Sequence, residues 1–525
     1  MRPITRKISA AILVLILILS SFYKGPVYAA SVPSLVKIGL YFNYNSIKTA
    51  VSSFTVSAEK GVVAGWYAGN GLNAIYSTSD NSVLKIVKDS KYYFIYTNGI
   101  TTRDQAATKA AELTSKGVTA FVAVNNTGSW VVLVGGYGDK ATADADKAGN
   151  IDKKVPGLTL ALAEPSAKRV IIENAAGVPV GGFYHDTSSL FLGAGDANEL
   201  KVIKVNTRTY RGEIEVIRQQ ASDMTVVNVV GLEQYLYGVV PAEIGGSSPT
   251  EALKAQAVAA RNYTANNLNK YASIGFNLCN TTYSQVYNGF SAETLAVNKA
   301  VDATAGQLLM YSGKPASVFY FSSDGGMTED VKYVWGSTTY PYLVSVEDKY
   351  ETPTTTNYTW TKTFTASEIR SKVSKDIGDV TGLEVTQRSP AGRVTELVIK
   401  GTKDQAVYKL EGARTILSLP SQWYTIQTDA SINVGEAGSS ASKQISSLKI
   451  MTASGLVDAP SGGLNVIGGD GTVKNYSAAA GTFTFTGKGW GHAVGMSQNG
   501  AMGMARAGFT YKEILEHYFK GALVQ

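Results

Sequence analysis

Two stretches, far apart in the chain, hold the residue types best suited to chemistry. The first reads Gly231-Leu232-Glu233-Gln234-Tyr235-Leu236-Tyr237-Gly238-Val239-Val240-Pro241-Ala242-Glu243-Ile244, and helical text bearing Lys254, Gln256 and Arg261 follows it. Pro241 disfavours helical geometry in the residue before it, which predicts Glu243 in a connection just ahead of that helix. Lys254 and Arg261 are two helical turns apart and share one side. A carboxylate beside an aligned Lys, Gln and Arg could form a polar groove for a sugar. Position alone leaves a second reading open, because a glutamate near a helix start also serves as a dipole-stabilised anion. The second stretch is Gly487-Lys488-Gly489-Trp490-Gly491-His492-Ala493-Val494-Gly495-Met496-Ser497-Gln498-Asn499-Gly500-Ala501. Its glycines permit tight turns or a close backbone approach to a ligand, Trp490 offers a flat face, and His492 and Gln498 offer hydrogen bonds. The alternative is a glycine-rich turn whose histidine satisfies a backbone group.

The elements that would position these groups are legible from capping and periodicity. Ser248-Pro249-Thr250-Glu251 predicts a helix start with Ser248 as cap and Glu251 closing a capping box, and Leu253, Ala257, Ala260, Thr264 and Leu268 form its buried stripe. Thr510-Tyr511-Lys512-Glu513 opens a last helix through Phe519 by the same device, with His517 read as a packing residue. From Lys168 to Val229 the alternation of apolar and polar residues predicts a platform of strands, and Val36 to Thr55 predicts a short β lead-in. Residues 91–150 change pattern. A strand (Tyr92 to Tyr96), a helix capped at Thr102-Arg103-Asp104-Gln105 with Gly117 at its end, two strands (Val118 to Val124, Trp130 to Tyr137) and more helical text follow in order.

Composition sets the outer limits. At roughly 100–200 residues per domain, 525 residues predict two to four domains. With 44% hydrophobic and 17% charged residues the chain can bury cores and is not of the disordered class. The 53 glycines and 30 tyrosines against 14 prolines favour a turn-rich, largely β protein. Residues 1–29 read as a cleavable secretion signal: Arg2, Arg6 and Lys7 precede an apolar run from Ile8 to Leu19, then Val27-Tyr28-Ala29. If retained, that leader would be an N-terminal anchor, the one route to a membrane. Its loss removes four basic residues and takes the formal charge from +7 down to +3. Such a mild balance suits an anionic wall polymer and lacks the clustered basic stripe that nucleic acid requires. A lone cysteine, Cys279, forms no internal disulfide.

The motifs also carry two resemblances. Tyr93-Phe94-Ile95-Tyr96, Ala106 to Gly117 and Trp130-Val131-Val132-Leu133-Val134-Gly135-Gly136-Tyr137 resemble a SPOR domain, which implies a small βαββα module that binds peptidoglycan glycan strands stripped of stem peptides. Residues 231–263, together with Phe319-Tyr320-Phe321-Ser322-Ser323-Asp324-Gly325-Gly326-Met327-Thr328-Glu329, Val334-Trp335-Gly336 and the Gly487–Ala501 stretch, resemble the SpoIID/LytB family of sporulation proteins. The expected fold is therefore α+β, a β-rich SpoIID-type catalytic region with the SPOR-like module before it. Its expected divisions are a signal peptide (1–29), β lead-in (30–90), SPOR-like module (91–150), SpoIID-type core (165–429), a Ser/Gly-rich linker with a small β insertion (430–480), and the core's C-terminal signature (481–525).

The family resemblance implies a lytic transglycosylase, with Glu243 as catalytic acid and Lys254, Gln256, Arg261, Trp490, His492 and Gln498 as substrate-positioning residues. One carboxylate can suffice because the sugar supplies the nucleophile, whereas ordinary glycosidases pair two. The chemistry needs Glu243 protonated near neutral pH, so burial must outweigh the helix terminus and any cation beside it. Some family members carry a zinc site near the stretch that here reads Leu278-Cys279-Asn280-Thr281-Thr282-Tyr283-Ser284-Gln285-Val286-Tyr287. Tyr283 and Ser284 stand where His and Cys are expected, so no metal and no cofactor is predicted. Asn499 and Ala493 depart from the aromatic and the glycine more usual at those places. The implied partners are glycan strands and other wall hydrolases, and the implied location is extracytoplasmic, at the cell wall. Two rivals stand beside this reading: a non-catalytic wall-binding protein that enhances an amidase, and a hydrolytic muramidase using Asp324 or Glu329 to activate water.

Overall fold

The computed structural model describes residues 33–69, 71–195, 200–218, 222–436, 439–445, 448–460, 463–467, 471–476 and 481–525. The expected leader lies outside the described residues, as do parts of the 430–480 insertion. Among those described, no helix is long and apolar enough to cross a membrane.

The fold is α+β and rich in strands, as its alternating text predicts. A seven-stranded sheet runs in the order Leu278–Cys279, Leu35–Tyr41, Thr225–Gly231, Glu213–Ile217, Leu190–Ala194, Val62–Ala68, Gly71–Ser77. Its strand Leu35–Tyr41 buries one face, while Leu35 is exposed and Lys37 and Tyr41 are half-buried on the other. Val36, Ile38 and Leu40 enter the main core, while beyond the strand Phe42 joins Val227, Tyr271, Phe276 and Cys279 in a separate aromatic cluster. The lead-in strands are not a unit of their own, since Ser53–Ser57 and Leu84–Lys88 belong to a second sheet.

That second sheet has ten strands, in the order Ala161–Ala163, Tyr92–Tyr96, Trp130–Tyr137, Ala120–Val124, Pro179–Phe183, Val170–Glu173, Leu84–Lys88, Ser53–Ser57, Val202–Val205, Arg208–Arg211. The SPOR-like strands form one end of it. Their helix, Arg103–Ser115, has the expected capping box at Thr102 and Gln105, and Gly117 follows at φ +74. Ala106, Ala110 and Leu113 of this helix share one core with both sheets. The module is mounted on its neighbours through the parallel pairing of Ala123 and Val124 with Gly182 and Phe183.

The first stretch folds differently from its expectation. The strand Thr225–Gly231 runs directly into a helix, Leu232–Ile244, which includes Pro241 and carries Glu243 in its last turn. Pro241 removes one helical hydrogen bond, but Leu236, Val239, Val240 and Ile244 are buried in the core, and their packing overrides the local bias. Gly245, at φ +87, ends the helix. The next helix spans Thr250–Asn266, and its N-cap is Pro249 rather than Ser248. The Ser248 hydroxyl instead donates to Ile244 O at 2.7 Å, and Glu251 pairs with Lys254, so no capping box forms. Leu253, Ala257, Ala260 and Thr264 are buried as expected, whereas Leu268 lies past the helix end.

Residues 359–365, 482–488 and 424–428 form a three-stranded sheet over a core shared with the hairpins of residues 380–409. The chain leaves this sheet after Thr428 and returns to it at Thr482, so the 430–480 region is an excursion between two paired strands. Its described parts are three hairpins, Ser431–Glu436 with Ser439–Gln444, Lys449–Thr452 with Gly455–Asp458, and Leu464–Ile467 with Val473–Tyr476. The last helix, Tyr511–Tyr518, has the expected capping box at Thr510 and Glu513.

Candidate active site

Short pairings bring the distant motifs together. Tyr320 and Phe321 pair in parallel with Met496 and Ser497. Close by, Ser323 and Trp490 exchange backbone bonds, Trp490 N–H to Ser323 O at 2.7 Å and Ser323 N–H to Trp490 O at 3.1 Å. The glycines here are required by crowding: a Cβ on Gly491 would stand 2.7 Å from Phe321 Cβ, at a backbone φ of +120. Ala493 occupies φ +65, left-handed space that favours glycine, which explains why glycine is more usual there.

Against this junction lies a cleft of about 540 Å³ whose lining includes Glu243, Tyr263, Tyr320, Trp335, Trp490 and His492. Glu243 is the one carboxylate among the lining residues. Its Oε1 accepts the backbone N–H of Val286 at 2.7 Å. Burial pushes its carboxyl above the ordinary carboxylate range, while the Val286 N–H and the Gln498 side chain pull weakly the other way. Burial therefore wins, the direction that a general acid needs.

Trp490 is 44% exposed and presents an aromatic face to the cleft. His492 is half-buried among Phe319, Phe321 and Trp335, with ring centroids 5.3 Å from Phe321 and 5.1 Å from Trp335. Its Nδ1 accepts the Val494 N–H at 3.1 Å, and burial lowers its pKa to about 4. His492 is thus a neutral imidazole at physiological pH and supplies no cation to the cleft. Gln498 links Glu243 to the interior through its Nε2, which donates to Gln256 Oε1 at 3.4 Å.

Of the six expected substrate-positioning residues, Trp490 and His492 line the cleft and four, Gln498, Arg261, Gln256 and Lys254, are not part of its lining. Arg261 is fully buried, and its guanidinium grips Glu233 through two bonds of 2.9 and 2.6 Å and Gln307 O through a third of 3.0 Å. Gln256 is fully buried behind Gln498. Lys254 is held by Glu251 at 2.7 Å and lies over the Tyr511 ring. The two cations that could have kept Glu243 ionised are thus committed to other carboxylates. Conversely, Tyr263, Tyr320 and Trp335 line the cleft, although the sequence motifs that contain them gave them no role. Arg414 also lines it, and nothing in the surrounding sequence announces it.

The carboxylates of the hydrolytic reading are elsewhere. Asp324 is fully buried in a cluster with Asp348 and Glu351, their ligating atoms within 4.8 Å of one another, and burial together with the Asp348 charge raises its pKa well above the usual range. Glu329 is fully buried and bonded to Asp330 N, Ser345 and Ser389. Around Cys279 the nearest side-chain donors and acceptors are the hydroxyls of Thr281, Ser284 and Tyr271 at 3.3–3.6 Å. Three hydroxyls and one thiol do not make the Cys/His set that tetrahedral zinc requires, so these residues do not fit the zinc of other family members.

A strand-rich α+β protein with an aromatic-walled cleft, a single cleft carboxylate and a glycine-rich wall is thereby defined. Comparison with known proteins gives the class its name: residues 220–311 match SpoIID, described as stage II sporulation protein, residues 89–153 match the SPOR domain, and residues 336–438 match a domain of unknown function (DUF8618). The chain belongs to the SpoIID family and carries a SPOR domain. It is 31% identical over 295 residues to the amidase enhancer of Bacillus subtilis, covering 54% of this chain and 39% of that protein. It is 30% identical over 305 residues to an uncharacterized protein of Brachyspira hyodysenteriae, 57% of this chain and 67% of that one. With stage II sporulation protein D of Bacillus amyloliquefaciens it shares 29% identity over 319 residues, 58% and 76% of the two chains. The match thus spans about two fifths of the amidase enhancer's length. A cell-wall-related role follows from these domains.

Proposed function

We propose that the protein is a peptidoglycan lytic transglycosylase acting outside the cytoplasm on glycan strands that lack stem peptides. The observation that carries this reading is Glu243 standing as the lone carboxylate in the aromatic cleft with its acid form favoured by burial. Protonated Glu243 donates to the oxygen bridging MurNAc C1 and GlcNAc C4, and the C1–O bond breaks with GlcNAc leaving as the alcohol. The resulting carboxylate takes the proton from the MurNAc C6 hydroxyl, whose oxygen closes onto C1 as a 1,6-anhydro ring. Glu243 ends protonated, as it began, and no water is consumed. Trp490 and Trp335 stack on sugar faces, and Gln498 holds the Glu243 carboxyl in place. A water-activating partner is what a hydrolase would need. Asp324 and Glu329 are both buried and bonded away from the cleft.

The SPOR domain supports the substrate class, since a glycan-binding module on the same chain as the cleft raises the local concentration of a polymer without new contacts at the cleavage site. A second reading is favoured by the likeness to a protein named amidase enhancer: the cleft holds sugar without cutting it and assists a separate wall amidase. Mass analysis of purified, peptide-free glycan after incubation separates the readings. Anhydro-muramic ends that vanish in Glu243→Gln support the transglycosylase; new reducing ends indicate hydrolysis; no cleavage by the pure protein leaves the enhancer.

A further inference from the structure

Arg414 lies outside the residues that match SpoIID, in the domain of unknown function that covers 336–438. It nevertheless lines the same cleft as Glu243. Among the lining residues it is the one permanently charged cation, because His492 is neutral above about pH 4. Several contacts fix its placement. Glu411 Oε1 accepts one Arg414 N–H at 2.8 Å, and Glu411 Oε2 accepts the Trp335 indole N–H at 2.8 Å, so the guanidinium is coupled to an aromatic wall of the cleft. Pro420 O accepts a second N–H at 3.1 Å, and Glu411 N–H is anchored on Val334 O at 3.0 Å. These bonds use two of the five N–H donors of the guanidinium. Its Nε is buried, without a partner among the described residues and closed off from the cleft, so an acceptor in the cleft would meet the N–H groups left on Nη1 and Nη2.

The substrate of the reading above offers one anion. In an intact strand the lactyl group on MurNAc C3 is an amide to the stem peptide, neutral and bulky. Removal of the peptide leaves a free lactyl carboxylate. We propose that Arg414 recognises this carboxylate, and so makes the cleft selective for MurNAc residues whose stem peptide has been removed. Arg suits this role because its planar fork matches a carboxylate. The class of reaction that must precede it is hydrolysis of the lactyl amide. The inference rests on the catalytic reading for the identity of the sugar, but Arg414 is not itself assigned to bond cleavage.

The test offers the full chain two peptide-free glycan tetrasaccharides that differ only at the lactyl group, the free acid and its methyl ester. The free acid is expected to give about a tenfold or greater advantage in kcat/KM for anhydro product, as a charge-assisted hydrogen bond would. Arg414→Gln is expected to level the two substrates, and Arg414→Lys to keep part of the difference. Equal rates on acid and ester by the unsubstituted chain, or an undiminished preference in Arg414→Gln, would overturn the proposal. The acid-to-ester ratio of the unsubstituted chain needs no substitution and stands if Arg414→Gln fails to fold. If no anhydro product forms at all, the catalytic reading fails separately. The proposal is then judged by calorimetric binding of the two tetrasaccharides to Glu243→Gln with and without Arg414→Gln: a preference lost with Arg414 supports it, and no change sinks it.

Discussion

Glu233 and Glu243 stand on one helix, the first in its opening turn and the second in its last. Glu233 accepts two bonds from buried Arg261 and one from Gly306 N–H, and those contacts tie the helix to its neighbour and to the loop before Leu309. Among the described residues no cation pairs with Glu243; it is bonded by the Val286 N–H and the Gln498 side chain and otherwise faces tyrosines and the cleft. A carboxylate paired in this way is a brace. An unpaired one at the edge of an aromatic cavity is held nearer its acid form and can give a proton away. On the proposed reading, the same residue type performs structural or chemical work according to whether the fold supplies it a partner.

The sharpest break is at the unpaired end. Glu243→Gln removes the transferable proton and should lower the rate of anhydro product by about 10³-fold, in the range expected for loss of a general acid. The fold should persist, and the variant should grow more stable relative to the parent as pH rises. A buried acid of raised pKa disfavours the folded state once it ionises, and the amide does not. Breaking the paired end should invert the pattern. Arg261→Met strands Glu233 and should cost about 3–5 kcal/mol of stability by denaturant titration, with the rate per folded molecule changed by less than about twofold. If Arg261→Met instead abolished product at full stability, Arg261 would belong to the chemistry after all.

pH sharpens the comparison further. The rate should fall as pH rises through the raised pKa of Glu243, because the acid form is the proposed donor. His492 acts on stability in the opposite direction. Its folded pKa of about 4 is below the ordinary 6.5, so the unfolded chain binds the extra proton in that window. The stability His492 confers is complete above about pH 6.5 and lost as pH falls towards 4, by about 2 kcal/mol after allowance for partial exposure. In His492→Asn that part of the acid slope should be absent from thermal melts taken between those limits.

Much of this is legible in the sequence, and for reasons that differ by residue. The SPOR-like elements are readable because Thr102, Gln105 and Gly117 are local signals, satisfied within one turn of the residues that send them. Pro241 and Ser248 mislead because their local preferences are worth little against the burial of Val239, Val240 and Ile244. Lys254 and Arg261 do sit on one helix, yet helical spacing carries no information about the acid opposite, and Glu251 and Glu233 claim them. Arg414 is invisible for the same reason: it reaches the cleft through docking of a domain whose contacts with Val334 and Trp335 are set by tertiary packing.

Smaller effects belong to the cleft wall. Trp490→Ala removes an exposed ring, so stability should barely change, while KM for glycan should rise about tenfold and kcat less, the signature of lost uniform binding. The smallest prediction concerns the residue three places on. Ala493 holds left-handed backbone at φ +65, which costs an L-residue roughly 1–2 kcal/mol, yet its methyl is buried and contributes roughly 0.8 kcal/mol. The strain relieved is nearly offset by the lost methyl and by the added freedom of the unfolded chain, about 0.4–1 kcal/mol, so Ala493→Gly should change stability by less than about 1 kcal/mol. The bond from Glu329 N–H to the residue 493 carbonyl, at 2.7 Å, is made by backbone and survives the change. Product formation should therefore be unaltered. A clear loss of stability in denaturant titration would mean that the buried methyl outweighs the strain and that this departure from glycine helps hold the cleft wall.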